Sequence, residues 1–163
     1  MGDIRILRAG MVEHTVMAEE MKRLQQLRIE DKIPDTLILV EHPEVVTVGP
    51  KAIRDGVVVE GYPTVNTDRG GGITWHGPGQ LVAYPIIKWG VDEQNIRAII
   101  GRLEDWAIDA LAELGISAYK DSTMQGAWVD GYKICSIGLS FLNWVSRHGM
   151  SISVCTPGTR VED

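Results

Sequence analysis

Residues 61–80 carry six glycines and two prolines, and this one stretch decides how the rest of the chain can fold. Glycine loses more backbone freedom on ordering than any other residue, and proline lacks an amide hydrogen, so no long helix or strand is expected through it. It reads as largely loop, and it divides the apolar pattern into two sets of elements. Before it, residues 4–7 alternate with charge as a short strand. Residues 16–28 place Met17, Met21, Leu24 and Leu27 at helical spacing. Residues 36–42 are a compact apolar run of strand length, stopped by Pro43, and residues 45–48 predict another strand. After the loop, residues 81–87 read as a strand. Residues 96–114 are the clearest helix, with Ile99, Leu103, Ala107 and Leu111 on one stripe and Gly115 placed to end it. Residues 116–119, 126–129, 133–142 and 149–154 read as strands, and Asp130-Gly131 predicts a tight hairpin turn. The order predicts an α+β fold: a mixed or antiparallel sheet with packed helices. With 163 residues and no repeat or linker, one domain over 1–163 is expected.

Charge and cysteine content narrow the function classes. There are 16 lysines and arginines against 22 aspartates and glutamates, a net charge of −6, which argues against a protein that neutralises nucleic-acid phosphates with a basic face. No apolar run approaches the roughly 18 residues that cross a bilayer, and the opening Met-Gly-Asp-Ile-Arg has no signal core. Cys135 and Cys155 are too few for a disulfide framework. A soluble cytoplasmic protein is expected, without membrane or nucleic-acid partners.

Three segments carry candidate chemistry. The first runs from Arg69 through Gly70, Gly71, Gly72, Ile73, Thr74 and Trp75 to His76, then Gly77-Pro78-Gly79-Gln80. A glycine cluster allows close approach of backbone to a ligand, although it serves equally well as a structural turn. It is neither a Walker loop nor a dinucleotide fingerprint, because the residues and spacing of both are absent. The second is Lys133, just after the predicted hairpin, as either a charge drawn into a pocket or a solvated strand end. The third is His148-Gly149-Met150-Ser151, where the histidine is an acid/base or ligand candidate or a hydrogen-bonded structural group. The four histidines and two cysteines lack metal-ligand spacing, so no metal site is expected. Cys135, in an apolar strand, reads as an inert buried thiol, and Cys155 as exposed.

Together these segments resemble the octanoyltransferase family, also called lipoate-protein ligase B, within the wider biotin and lipoate ligase fold, which is similar to class II synthetases. Residues 69–76, continued by Gly77 to Val82 and Tyr84-Pro85, resemble its signature segment. Lys133-Ile134 with Ser136-Ile137-Gly138 resembles its lysine motif, and His148-Gly149-Met150 its His-Gly segment. The resemblance implies transfer of an octanoyl group from octanoyl-acyl carrier protein to a lysine of a lipoyl domain, through a thioester on an enzyme cysteine. The acceptors implied are lipoyl domains of 2-oxoacid dehydrogenase complexes or the glycine cleavage H protein. Because a thioester is already activated, neither ATP nor a cofactor is expected. By the same resemblance, Lys133 lowers the cysteine's proton affinity. Arg69, Gly70, Gly71, Gly72, Ile73, Thr74, Trp75, His76, Ser136, Ile137, Gly138, Gly149, Met150 and Ser151 line the acyl site, where backbone N–H groups stabilise an oxyanion.

One part of the family pattern is not met within the 163 residues. The Pro-Cys-Gly element with the catalytic cysteine would fall beyond Asp163, and neither Cys135 nor Cys155 matches it, so the catalytic domain is expected to be truncated, with Cys155 as a substitute nucleophile the lesser alternative. Two other readings compete. An ATP-dependent lipoate or biotin ligase also uses a glycine-rich loop and a lysine, but His-Gly-Pro-Gly weighs against it. A non-catalytic module that binds a lipoyl domain or an acyl chain is the third.

Overall fold

The computed structural model describes residues 2–157. Among them, six strands form one sheet in the order β1 (Arg5–Met11), β2 (Thr36–Glu41), β6 (Gln80–Ile86), β9 (Val145–Ser153), β8 (Tyr132–Leu142) and β7 (Ala127–Val129). β1 runs parallel to β2, and the other neighbours are antiparallel. A small second sheet holds β3 (Val45–Val48) between β4 (Thr64–Asn66), parallel to it, and β5 (Ile73–His76), antiparallel to it. The α+β expectation with mixed pairing therefore holds.

Alternation along the strands assigns each helix to a face. Ile38 and Val40 of β2, with Val82, Tyr84 and Ile86 of β6, pack with Met17, Met21 and Leu24 of α1 (His14–Ile29). The opposite parity, Leu37 and Leu39 with Ala83, packs with Ile99, Leu103 and Ala107 of α3 (Ile96–Glu113). A period of two sends successive side chains to opposite faces, so the two helices cover the two sides of the sheet. Central β6 is accordingly buried along almost its whole length, as a strand covered on both faces should be. α3 begins with the Asn95 side chain accepting from the Ala98 N–H at 3.0 Å. It ends where Gly115 takes φ +77° and the Ile116 N–H reaches back to the Leu111 carbonyl at 3.0 Å. This is the glycine-terminated end the sequence predicts.

The structure corrects the sequence reading at four places. Residues 61–80 are loop over most of their length, as expected, but two short strands, β4 and β5, lie within them, held by pairing with β3, and Ile73, Thr74 and Trp75 are strand formers whose signal the flanking glycines hid. A short helix, α2 (Pro50–Arg54), follows β3, with proline in its first turn, where a missing N–H costs nothing. Residues 116–119 form no strand and contribute only a single bridge between Tyr119 and Trp128. β9 starts at Val145 rather than Gly149, because Asn143 and Trp144, both at positive φ, close a two-residue hairpin with β8. The Asp130-Gly131 hairpin is present as expected, joining β7 to β8. No helix among the described residues is long and apolar enough to cross a membrane.

Candidate active site

A cavity of about 480 Å³ lies where the glycine loop meets β5, β6, β8 and β9. Its lining takes in residues 69–74 and 76, Lys133, residues 136–138 and residues 149–151. The three segments separated in sequence are thus neighbours in space. Trp75 is the exception among the expected site residues. It is not among the lining residues: its indole N–H donates to Glu44 Oε1 at 3.0 Å, and its ring lies against Gly77. A volume of this size is typical of small-ligand pockets.

Arg69 is the organiser of the glycine loop. It is buried. Its Nη2 donates to the Thr47 hydroxyl at 2.7 Å, and to the carbonyls of Thr47 and Gly72 at 3.1 Å each. Its Nη1 donates to the Gly70 carbonyl at 3.1 Å. The guanidinium thereby ties residues 69–72 to β3. The loop is also pinned to β8 by the Gly70 N–H, which donates to the Leu139 carbonyl at 2.9 Å. This seat requires glycine at position 138, since a Cβ there would stand 2.5 Å from the Gly70 oxygen. Gly138 and Gly149 face each other across β8 and β9, so two adjacent strands present no side chain at the point where the loop crosses.

Beneath the loop, side chains that the sequence scatters come together as an aromatic floor. The rings of His14 and His76 stack at 5.8 Å, and His42 lies 5.0 Å from His14 and 5.6 Å from His76. The Tyr84 hydroxyl meets His42 Nε2 at 2.7 Å, and His42 Nδ1 meets the Val12 carbonyl at 2.6 Å. A carbonyl only accepts, so His42 donates from Nδ1 and accepts from Tyr84. His76 Nδ1 donates to Gln80 Oε1 at 2.6 Å, and the Nδ1 of His14 is buried without a hydrogen-bond partner. Burial pulls His14 and His76 down to about 3, and the neighbouring histidines and Arg69 push the same way. Burial likewise raises Tyr84 above its ordinary value. At neutral pH the floor is uncharged.

His148 sits at the seam between floor and rim. It is a buried non-glycine residue at φ +62°, a conformation that costs of order 1–3 kcal/mol and is concentrated at functional sites. The turn aims its Nε2 at Asp68 Oδ1, 2.8 Å away, and Arg147 Nη1 holds the same carboxylate at 2.9 Å. Hydrogen bonding to Arg147 draws the Asp68 carboxyl well below its ordinary range. His148 falls to about 4, because burial outweighs the bond to Asp68.

Lys133, half-buried in β8, places its Nζ 5.7 Å from the centre of the Trp128 ring and lines the cavity. Neither cysteine is among the lining residues. Cys135 is fully buried and pushed up to about 12 by that burial, with Lys133 acting in the opposite sense, so it is the inert thiol the sequence suggests. Cys155 is exposed, and its backbone N–H donates to the Gly79 carbonyl at 2.8 Å. The position expected for the catalytic cysteine lies outside the described residues. Sequence reading missed His14, Lys51, Tyr84 and residues 123–125, which also line the cavity. No spacing signal joins them, because they come from separate elements. No cluster of histidine, cysteine, aspartate or glutamate among the described residues is arranged to hold a metal ion.

Residues 15–163 match the lipoyl protein ligase A/B catalytic domain. Two relatives named octanoyltransferase are similar over most of the chain. That of Syntrophobacter fumaroxidans is 35% identical over 158 residues, which cover 93% of this chain and 69% of the relative. That of Salinispora arenicola is 37% identical over 157 residues, covering 93% and 73%. The fold is shared with a solved bipartite lipoate protein ligase from Thermoplasma acidophilum, with a TM-score of 0.69 and 14% identity over 95% of this chain and 63% of that one. With a matching domain over nearly the whole chain and relatives above 30% identity, the chain belongs to the octanoyltransferase family, within the lipoyl protein ligase A/B catalytic domains.

Proposed function

We propose that this chain carries the acyl-binding site of an octanoyltransferase that works in lipoate biosynthesis and protein lipoylation. The octanoyl group comes from an acyl carrier protein as a thioester and goes to a lysine of a lipoyl domain. The acceptors are those of 2-oxoacid dehydrogenase complexes or the glycine cleavage H protein, and the compartment is the cytoplasm. The observation that carries this reading is the convergence of the glycine loop, Lys133 and the two glycine-bearing strands on one cavity.

In this reading residues 70–74 and 136–138 seat the acyl chain and its carbonyl, with loop N–H groups turned to the oxygen that becomes negative in the tetrahedral intermediate. Lys133 supplies positive charge beside the thiolate that carries the acyl group. An adjacent cation favours thiolate over thiol and so increases the nucleophile at neutral pH. That thiolate is assigned to neither Cys135, which burial keeps as a thiol, nor Cys155, which does not line the cavity. Arg69 keeps its guanidinium on the loop's carbonyls and acts through the loop's shape. His148 and Asp68 fix the turn of β9 that leaves Gly149 at the cavity wall.

The test is intact-mass spectrometry of the full-length protein mixed with octanoyl-acyl carrier protein. A covalent octanoyl adduct, formed much more slowly in Lys133→Ala, is the expected result. Absence of any adduct, together with lipoyl-adenylate formation from lipoate and ATP, would establish the ligase reading instead.

A further inference from the structure

Although the chain as a whole is acidic, no aspartate or glutamate among the described residues lines the main cavity. Two other hollows differ in this respect: one takes in Glu19 and Asp68, the other Glu104 and Asp121. The titratable groups facing the main cavity come from every element around it. They are His14 of α1, Lys51 of α2, Arg69 of the loop, His76 of β5, Tyr84 of β6, Lys133 of β8 and His148 of β9. Three are cations, and the histidines and the tyrosine are neutral at pH 7. Lys51 is exposed as well as cavity-lining, which puts it at the mouth.

This arrangement has a consequence for the acceptor, and it rests on the transfer reaction proposed above. A lysine of a partner protein reaches the site as an ammonium, with an ordinary pKa near 10.4, whereas only the amine has the lone pair that attacks a carbonyl. We propose that the carboxylate-free, cationic cavity selects the acceptor lysine in its uncharged form, and that Lys51 at the mouth supplies part of this selection. Cationic charge already acts on bases fixed in the wall: after burial and the neighbouring histidines, Arg69 also lowers His14 and His76, whereas at His148 the bond to Asp68 works against it. An ammonium entering the same space meets cations with no carboxylate among the described lining residues, and Asp68, which touches the lining His148, is already held by Arg147.

The ammonium releases one proton to water at the mouth. The nitrogen lone pair forms the C–N bond, and the C–S bond breaks with its electron pair on sulfur. The departing thiolate takes the second N–H proton, giving amide, thiol and one proton in solution.

The experiment uses the full-length octanoyl-loaded protein in single-turnover transfer to saturating lipoyl domain across pH. In Lys51→Glu the rising limb of the rate should move to higher pH by roughly one unit, with a smaller move in the same direction for Lys51→Gln. Repeating the assay with hydroxylamine, a far weaker base that is uncharged at neutral pH, should abolish the difference between variants. An unmoved limb, or a Lys51→Glu deficit that persists with hydroxylamine, would overturn the proposal. Failure of the wild-type protein to load or transfer octanoyl at any pH would overturn the transfer reading itself, a result distinct from either.

Discussion

Lys133 and the histidines of the floor place the chemistry in single residues, and each makes a prediction at that scale. Lys133→Ala should lower kcat/KM for octanoyl transfer by about 10²-fold or more, while circular dichroism and the unfolding midpoint stay close to wild type, because the side chain is only half-buried, with its Nζ over the Trp128 ring at the cavity wall. Unchanged kcat/KM would remove Lys133 from the mechanism. The histidines govern acid stability. His14, His76 and His148 stay neutral in the fold down to about 3, 3 and 4, whereas in the unfolded chain they take up protons as pH falls through about 6.5. The unfolded state therefore binds more protons below that value, and stability is lost as pH drops from about 6.5 toward 4. One such histidine costs about 2 kcal/mol at pH 5. The urea midpoint should fall over this range and fall less steeply in His14→Phe; a midpoint independent of pH would contradict the assignment. None of this was legible in the sequence. His14, His42, His76 and His148 stand far apart with no common spacing, and only the sheet and α1 bring them together.

At the scale of elements the sequence was a good guide wherever periodicity was long. α1, α3, β2, β6 and the two hairpin-forming strands emerge from apolar spacing, caps and a turn dipeptide, since those signals are local. It was a poor guide where pairing decides. β4 and β5 are three and four residues long, and they are strands because β3 lies between them. The loop seat makes a sharp test of this reading. Gly138→Ala puts a methyl 2.5 Å from the Gly70 carbonyl, so the glycine loop must move. A loss of about 1–3 kcal/mol and a large loss of transfer activity are expected. Gly101→Ala is the matched contrast. It lies inside α3, and its added methyl would find nothing nearer than Lys120 Nζ at 4.0 Å, so it should stabilise the protein by up to about 1 kcal/mol with activity intact. Thermal melts and transfer assays of the two variants check both; equal effects would show that the seat is not what holds the loop.

The whole molecule combines an overall charge of −6 with a cavity whose charged lining is cationic. In the proposed reaction, encounter with an acyl carrier protein should therefore depend on the charge of the cavity face rather than on the molecule's mean field. The glycine-rich stretch that divides the sequence becomes, in the fold, the part that joins the small sheet to the large one and roofs the cavity between them. The central claim is that this architecture serves transfer of an already activated acyl group. The direct measurement is the mass of a lipoyl domain incubated with the full-length protein and octanoyl-acyl carrier protein, in the absence of ATP. The account predicts an octanoylated lipoyl domain, formed without nucleotide and lost in Lys133→Ala. A lipoyl domain modified only when ATP and a free fatty or lipoic acid are supplied would contradict it.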